Sequence, residues 1–420
     1  DRNKPLPMSY AQQRLWFLWA MARDSHAYNL TQAMRLRGRL DIEALQRTFE
    51  ALLERHESLR TSFDPDDISA VQRVHPPAPF MLEISELAAP TNAAGWARLA
   101  RTLDVLPFDL QAGPMFRARL FRLGEDDHVL VLSMHHISGD GWSVNVLYDE
   151  LVRLYDAHRR GVPAQLPALA IQYADFAAWQ RQSLQSSEMA AQRAYWIRQL
   201  GTEHPLLSLP TDYPRPPVQS GRGARHRLIL DEALGARLRE LARERGVSLP
   251  MVLLAGFQIL LHRHSGETDL RVGMPVANRR WQETEFLVGF FVNMLVLRTD
   301  LSGNPSCEAL LAHIRQIALD AQNHQDYPFE LLVEALQPER SLGHAPLFQV
   351  AFNHQVRKFD TLRSLEQLQI ELLEGETHST QFDLILHTDE SDGRIEASFA
   401  YSTDLFDAAT IERMADQWTR

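Results

Sequence analysis

The sequence predicts a mixed αβ chain built as two lobes, and three observations carry that expectation. Its 420 residues exceed what one hydrophobic core usually serves, while 45% hydrophobic and 23% charged residues are ordinary for globular domains. Segments with helical 3.6-residue spacing alternate with segments that read as strands and antiparallel hairpins. Between them lies LPTDYPRPP, a proline-rich stretch that continues neither a helix nor a central strand. Residues 1–176 are therefore assigned to an N-terminal lobe and 177–420 to a C-terminal lobe, with the crossing segment at about 204–218.

In chain order, Asp41 is the expected N-cap of a helix whose Ile42, Leu45, Phe49, Leu52 and Leu53 share one face. MFRARLFRL and HVLVLSM, separated by the turn-like GEDD, read as a hairpin. Val144, Leu147, Leu151, Leu154 and Tyr155 mark another helix face that stops before Gly161 and Pro163. From Tyr173 to about Tyr213 a short helical piece precedes the prolines. Beyond them DEALGARLRELARERG and SLPMVLLAGFQILLHRH read as helices, the second with Ser248 as cap and Pro250 in its first turn. DLRVGMPV and FFVNMLVLR read as strands, Ser306 to His324 as a helix, and LFQVAFNHQ and LQIELLE as strands. FDLILHTDESDGRIEASFAYS reads as a hairpin turning at Asp392–Gly393.

Composition narrows the function. With 43 basic and 54 acidic residues, a net charge of -11 and no long basic cluster, nothing here tracks phosphates, so nucleic acid is not an expected partner. A single cysteine, Cys307, excludes an intramolecular disulfide and a thiolate zinc cage; it suits a reducing cytosol and is expected buried or half-buried. No apolar run reaches the ~18 residues of a membrane span, and the first residues lack a signal-peptide pattern, so the expected location is the cytoplasm. The chain opens without methionine and stops in an amphipathic segment, ERMADQWTR, so it is expected to be a fragment of a longer polypeptide, monomeric when excised.

The stretch VLSMHHISGDGWS, Val131 to Ser143, concentrates the chemistry in a loop joining strand to helix. Neighbouring strand residues point to opposite faces, so His135 and His136 do not aim at the same point, and periodicity does not choose between them because both faces of the strand are apolar. A histidine at a strand end beside a helix start suits proton acceptance: its ordinary pKa of ~6.5 leaves it mostly neutral near pH 7, and a helix N-terminus favours that form. Gly141 offers an unobstructed backbone amide where a negative oxygen develops in acyl transfer. Asp140 has two readings, orienting a histidine or capping the following helix and pairing with a distant arginine, and the cap is the commoner role. A bland reading makes the pair a satisfied polar edge. Adjacent histidines grip one metal ion poorly, and no metal is expected. There is no G-x-S-x-G elbow and no P-loop, and GRGAR lacks the third glycine of a dinucleotide loop.

Seven segments in order, SYAQQRLWFL, RHESLRTSF, MHHISGDGWS, YADFAAW, VGFFVNMLVLR, HQDYPFE and PERSLGHAPLFQV, resemble the core motifs of the condensation domains of nonribosomal peptide synthetases, and the likeness covers nearly the whole chain. On physical grounds Leu15, Trp16 and Leu18 are expected in the core, as is a buried strand of Phe290, Phe291 and Val292 with Asn293 as its polar exception. Tyr173, Phe176 and Trp179 are expected to pack rather than stack a ligand, and Arg60 and Arg298 to be internal partners.

The resemblance implies two chloramphenicol acetyltransferase-like lobes in a V-shaped pseudo-dimer, with a channel between them that His136 faces while His135 supports it. It implies that Asp140 pairs with an arginine of the other lobe, by position Arg279, with Trp142 beside the site; where the family commonly has glycine before that arginine this chain has Asn278. The implied reaction is peptide-bond formation: the amine of a downstream carrier-bound aminoacyl thioester attacks an upstream carrier-bound acyl or peptidyl thioester. The resemblance further implies that no cofactor is bound intrinsically, that the substrates ride on the 4'-phosphopantetheine arms of carrier proteins, and that an adenylation domain is a neighbour. The alternatives are a non-catalytic docking module, or an acyltransferase to a free amine or alcohol. Epimerisation and cyclisation domains differ in this loop, the latter replacing the histidine pair with aspartates, and a dual epimerising and condensing domain carries a further histidine motif near its start, not found here.

Overall fold

A computed structural model describes all residues except 1, 3, 27, 66–69, 89–94, 97–105, 340, 357–367, 374–378 and 392. Along the chain the elements are β1 (Leu6–Pro7), α1 (Tyr10–Met21), β2 (Asn29–Gly38), α2 (Ile42–Arg55), β3 (Thr61–Pro65), β4 (Ala70–Val74), β5 (Glu83–Glu86), β6 (Phe116–Gly124), β7 (Asp127–His135), α3 (Gly141–Arg160) and α4 (Tyr173–Ser183). There follow α5 (Ser187–Leu200), β8 (Gly223–Ile229), α6 (Glu232–Arg245), α7 (Leu249–Ser265), β9 (Asp269–Val276), β10 (Asn293–Asp300), α8 (Cys307–Asn323) and α9 (Phe329–Leu336). The last are β11 (Val350–Val356), β12 (Leu368–Leu373), β13 (Leu384–Ser391), β14 (Arg394–Ser402) and α10 (Ala408–Thr419).

Helices start where a short polar side chain takes up a free first-turn amide. Asp41 Oδ1 accepts from the Ala44 amide at 2.9 Å and opens α2 as expected. Ser248 stands at the N-cap of α7, but its side chain makes no capping bond, and Pro250 occupies the first turn instead. α3 ends where Gly161 takes a left-handed φ of 67°.

The chain folds into two compact units, residues 1–184, 277–292 and 358–376 in one and 185–276, 293–357 and 377–420 in the other. This differs from the linear division into 1–176 and 177–420. β12 adds to the edge of β2 from Leu368↔Gly38 to Leu373↔Ala33, so a late strand completes an early sheet. The 277–292 segment is tied in by Ser58 Oγ donating to the Val288 carbonyl at 2.8 Å. The proline-rich stretch lies inside the second unit, where Asp212 N–H donates to Leu405 O at 2.9 Å and Arg215 pairs with Asp383.

In the first unit the sheet order is β12-β2-β7-β6-β5, with β6 and β7 the expected antiparallel hairpin, and a smaller sheet runs β1-β4-β3. α2 and α3 bury Leu45, Phe49, Leu151 and Tyr155 against Leu36, Leu130 and Leu132 of the large sheet. A second core gathers Leu15, Phe63, Tyr173, Phe176, Leu287 and Phe291. In the second unit the order is β10-β9-β11-β13-β14-β8, with β11 parallel to both of its neighbours and the other pairs antiparallel. Phe257 of α7 meets Phe399 of β14 edge-on at 6.3 Å. Among the described residues no single helix is long and apolar enough to cross a membrane.

Several expectations shift. The span Tyr173 to Tyr213 holds two helices, α4 and α5. α5 escapes an apolar-periodicity reading because its inner stripe, Met189, Gln192, Trp196 and Leu200, contains a glutamine. Gln192 is buried there because its amide oxygen accepts from the Asp326 and Tyr327 backbones, both at 3.1 Å. The strand expected from Phe290 begins only at Asn293; Phe290 and Phe291 are buried in the first unit as irregular backbone. Cys307 is exposed, since it opens α8 beside the capping Ser306. Leu15 is fully buried, whereas Trp16 and Leu18 are only partly so. Gly393 takes φ 77° at the β13–β14 turn, and Asp392 lies outside the described residues.

Candidate functional site

β7 carries the histidine loop with both faces covered: Val129 and Val131 are buried on one side, Leu130, Leu132 and Met134 on the other. His135, its last residue, is 3% exposed between Tyr28 and Phe108, at ring-centre distances of 6.5 and 6.2 Å. Its Nδ1 accepts from the Ile137 amide at 3.1 Å. Burial, with a smaller contribution from neighbouring His136, brings its pKa down to about 3, so this ring is neutral and locked.

His136 leaves the strand in a 3-10 turn, His136–Ser138. Its backbone N–H donates to Tyr28 O at 2.8 Å, and its half-buried ring packs edge-on against Phe290 at 4.8 Å. Nδ1 lies 2.8 Å from the Gly139 carbonyl. A carbonyl only accepts, so Nδ1 carries the proton and Nε2 keeps its lone pair. Burial lowers the pKa of this ring; the Asp140 charge and the Gly139 contact oppose that, and the Arg14 cation adds to it. A Cβ at Gly139 would lie 2.7 Å from Met134 Sδ, so a side chain there requires the end of the flexible Met134 side chain to shift.

Asp140 caps α3 and is fully buried. Its Oδ1 accepts from Ser143 N–H at 2.8 Å, Ser143 Oγ at 2.7 Å and Arg279 Nη2 at 3.1 Å; its Oδ2 accepts from Phe291 N–H at 3.1 Å. No bond from Asp140 to a histidine ring is present among the described residues, so the cap-and-arginine reading describes its contacts. Arg279, its side chain 2% exposed, also donates from Nη1 to Thr284 O and Leu287 O at 2.6 and 2.7 Å and stacks on Phe291 at 4.1 Å. Desolvation lowers its pKa, and Asp140 opposes the shift.

The resemblance implies that the Asp140–Arg279 pair joins two lobes. Both residues instead belong to the first unit, because the 277–292 segment folds there. Asn278 has φ 51°, left-handed backbone that glycine adopts freely and asparagine next most readily, which explains why asparagine can stand where the family commonly has glycine.

Gly141 opens α3, exposed, and a first-turn amide has no partner within the helix. Trp142 is 43% exposed, with Nε1–H donating to Glu285 O at 2.9 Å. Tyr173 and Phe176 pack as expected, but Trp179 is 41% exposed and meets Trp281 at 4.5 Å. Arg60 donates to the Leu53 and His75 carbonyls, and Arg298 pairs with Asp269 at 2.8 Å, both internal roles.

Two residues that the sequence did not single out complete the support. Ser143 Oγ accepts from Arg279 Nη2 at 3.0 Å and Gly289 N–H at 3.1 Å, with its own proton within reach of Asp140. Gly289 lets the Tyr173 ring pass: a Cβ there would lie 2.0 Å from Tyr173 Cδ2. Both sit inside the quoted motifs, yet only the fold shows that they touch.

A two-unit mixed αβ protein that presents a half-buried histidine at a strand end, next to a capped helix start, defines the class. The Condensation domain family model matches residues 3–420, so the chain belongs to the condensation-domain family of nonribosomal peptide synthetases. It is 47% identical over 99% of its length to one of the linear gramicidin synthase proteins of Brevibacillus parabrevis, and spans 5% of that relative. The X-domain in the complex with OxyB from teicoplanin biosynthesis is similar at a TM-score of 0.88 and 30% identity, covering 99% of this chain and 92% of that one. The condensation domain of the Monacolin K polyketide synthase MokA shares the fold at a TM-score of 0.87 and 24% identity, covering 99% and 96%.

Proposed function

We propose that this chain forms a peptide bond between an upstream carrier-bound acyl or peptidyl thioester and the amine of a downstream carrier-bound aminoacyl thioester. The observation that carries the reading is the 2.8 Å contact of His136 Nδ1 with the Gly139 carbonyl: it favours the tautomer that spends the ring proton there and leaves Nε2 to accept a proton from the attacking amine. As nitrogen bonds to the donor carbonyl, the carbonyl oxygen takes the negative charge, and the Gly141 amide at the start of α3 is the group that suits it. Collapse breaks the carbon–sulfur bond, and the departing thiolate takes up the proton held on Nε2. His135, Asp140, Arg279 and Trp142 support the site rather than touch the reacting atoms.

Thioesters are already activated, so holding two tethered reactants in register is the larger task, and proton transfer at His136 contributes about 10²- to 10⁴-fold. The partners in this reading are donor and acceptor carrier proteins bearing 4'-phosphopantetheine arms and an adjacent adenylation domain, all in the cytoplasm. The test supplies both loaded carriers and follows product by mass spectrometry. Dipeptidyl carrier is expected from the wild type, and about 10²- to 10⁴-fold more slowly from a folded His136→Ala protein. Product with a free amine but not with a carrier-bound one would replace this reading with a free-acceptor acyltransferase, and carrier binding without turnover would replace it with a docking module.

A further inference from the structure

Within the first unit the ring of His136 leans on the 277–292 segment, where buried Phe290 meets it edge-on at 4.8 Å between ring centres. The two residues flanking Phe290 are held by the capping network of α3: Gly289 N–H donates to Ser143 Oγ and Phe291 N–H to Asp140 Oδ2, both at 3.1 Å. The Phe290 carbonyl has a different partner, the hydroxyl of Tyr173 in α4 at 2.6 Å. A carbonyl only accepts, so the Tyr173 hydroxyl donates there, and its oxygen accepts from Ser9 Oγ at 2.8 Å. Ser9 Oγ accepts in turn from the Gln12 amide at 3.1 Å as the cap of α1. Every proton of this buried relay therefore points one way, from α1 through Tyr173 to Phe290.

The Tyr173 ring fills core space without help from its hydroxyl: it meets Phe291 edge-on at 4.9 Å and occupies the room that a side chain at Gly289 would take. Phenylalanine would pack there equally well. What the hydroxyl adds is its single donation, which fixes the Phe290 backbone and with it the ring against which His136 rests. The 2.8 Å contact of Nδ1 with Gly139 O holds one corner of the His136 ring, and Phe290 limits the swing about that corner. We propose that Tyr173 is a positioning residue for the condensation reaction: acting through Phe290, it sets the direction of His136 Nε2 toward the attacking amine. This rests on the condensation reading.

Tyr173→Phe keeps the ring and removes the donor, leaving a buried carbonyl that shifts to find another partner. Misplacing a reacting group by about 1 Å costs about 10²-fold in rate. Tyr173 is itself buried and touches neither thioester, so the loss falls on kcat rather than KM. Movement of Phe290 also admits water to the His136 ring. Burial is the main cause that lowers the pKa of this ring; the Asp140 charge and the Gly139 contact oppose it, and the Arg14 cation assists. Hydrating the ring therefore moves its titration up towards the ordinary ~6.5.

The experiment measures kcat and KM with both loaded carriers for the wild type, Tyr173→Phe, Phe290→Leu and the double variant, and follows the His136 ring by nitrogen-15 NMR across pH. Tyr173→Phe is expected to lower kcat by about 10- to 10²-fold with KM unchanged, and to raise the titration midpoint of the ring. The double variant is expected to be no slower than Phe290→Leu, because Tyr173 acts through Phe290. Tyr155→Phe removes another buried hydroxyl of the first unit, one that accepts from the Asp41 amide at 2.9 Å, and is expected to change neither kcat nor the midpoint. Unchanged kcat in Tyr173→Phe, losses that multiply in the double variant, or an equal loss in Tyr155→Phe overturns the assignment while leaving the condensation reading intact. If Tyr173→Phe does not fold, Ser9→Ala, which takes away the donor to the Tyr173 oxygen, carries the same comparison. If the wild type yields no product with any pair, the condensation reading fails instead. The NMR midpoint then decides alone whether Tyr173 holds the ring: a rise supports it, and no change overturns it.

Discussion

Replacing Asp140 with asparagine removes one charge, keeps the shape and separates scaffold from chemistry. The carboxylate accepts four contacts within 3.1 Å and is fully buried beside a guanidinium that is itself 2% exposed. In Asp140→Asn the new NH₂ group faces the Phe291 amide, donor against donor, and Arg279 keeps a buried charge with no carboxylate to balance it. Breaking a buried pair from one side costs about 3–5 kcal/mol, a large share of the roughly 5–15 kcal/mol that holds a folded protein together. The assay is urea unfolding followed by tryptophan fluorescence, with hydrogen exchange of the Ser143, Gly289 and Phe291 amides. The urea midpoint should fall and those three amides should lose protection. A midpoint shift equivalent to less than about 0.5 kcal/mol together with abolished product formation would refute this reasoning, since Asp140 would then act on the reacting groups.

His136→Ala should lower product formation by about 10²- to 10⁴-fold while moving stability by no more than about 2 kcal/mol, checked by single-turnover kinetics and denaturation side by side. Stability should rise with pH between about 3 and 6.5: the unfolded chain binds a proton on His135 across that window and the folded chain does not, so stability is fully present above it and declines on acidification. The slope reaches about 1.4 kcal/mol per pH unit from His135, and His136, its pKa also lowered, adds in the same direction; urea midpoints at successive pH values measure it. Asn278→Gly should be tolerated within about 1 kcal/mol, because Asn278 Oδ1 has no hydrogen-bond partner among the described residues, whereas Asn278→Val at φ 51° should cost roughly 1–2 kcal/mol. Gly289→Ala should destabilise by about 1–3 kcal/mol, because the added methyl meets the Tyr173 ring at 2.0 Å; the urea midpoint reads this.

What the sequence made legible follows from the range of the forces involved. The cap at Asp41, the β6–β7 hairpin and the Gly161 stop of α3 are set within a few residues, and all stand where expected. The strand and loop on which His135 and His136 sit are equally local, but the direction of each ring is not. Apolar residues on both faces of β7 hide which histidine is sealed, and only Tyr28 and Phe108, distant in sequence, decide it. A linear division of the chain misplaces Arg279 for the same reason. The 277–292 segment lies among second-unit residues in the chain but spends its hydrogen bonds on Ser58, Asp140 and Ser143. Gln192 shows the converse: a polar residue reads as surface until the backbone of Asp326 and Tyr327 supplies its partners.

The most direct measurement of the central claim is the nitrogen-15 NMR spectrum of the His136 ring in the folded chain at neutral pH. The account predicts a neutral imidazole with its proton on Nδ1 and a bare, proton-accepting Nε2. A proton on Nε2, or a ring charged on both nitrogens, would contradict it.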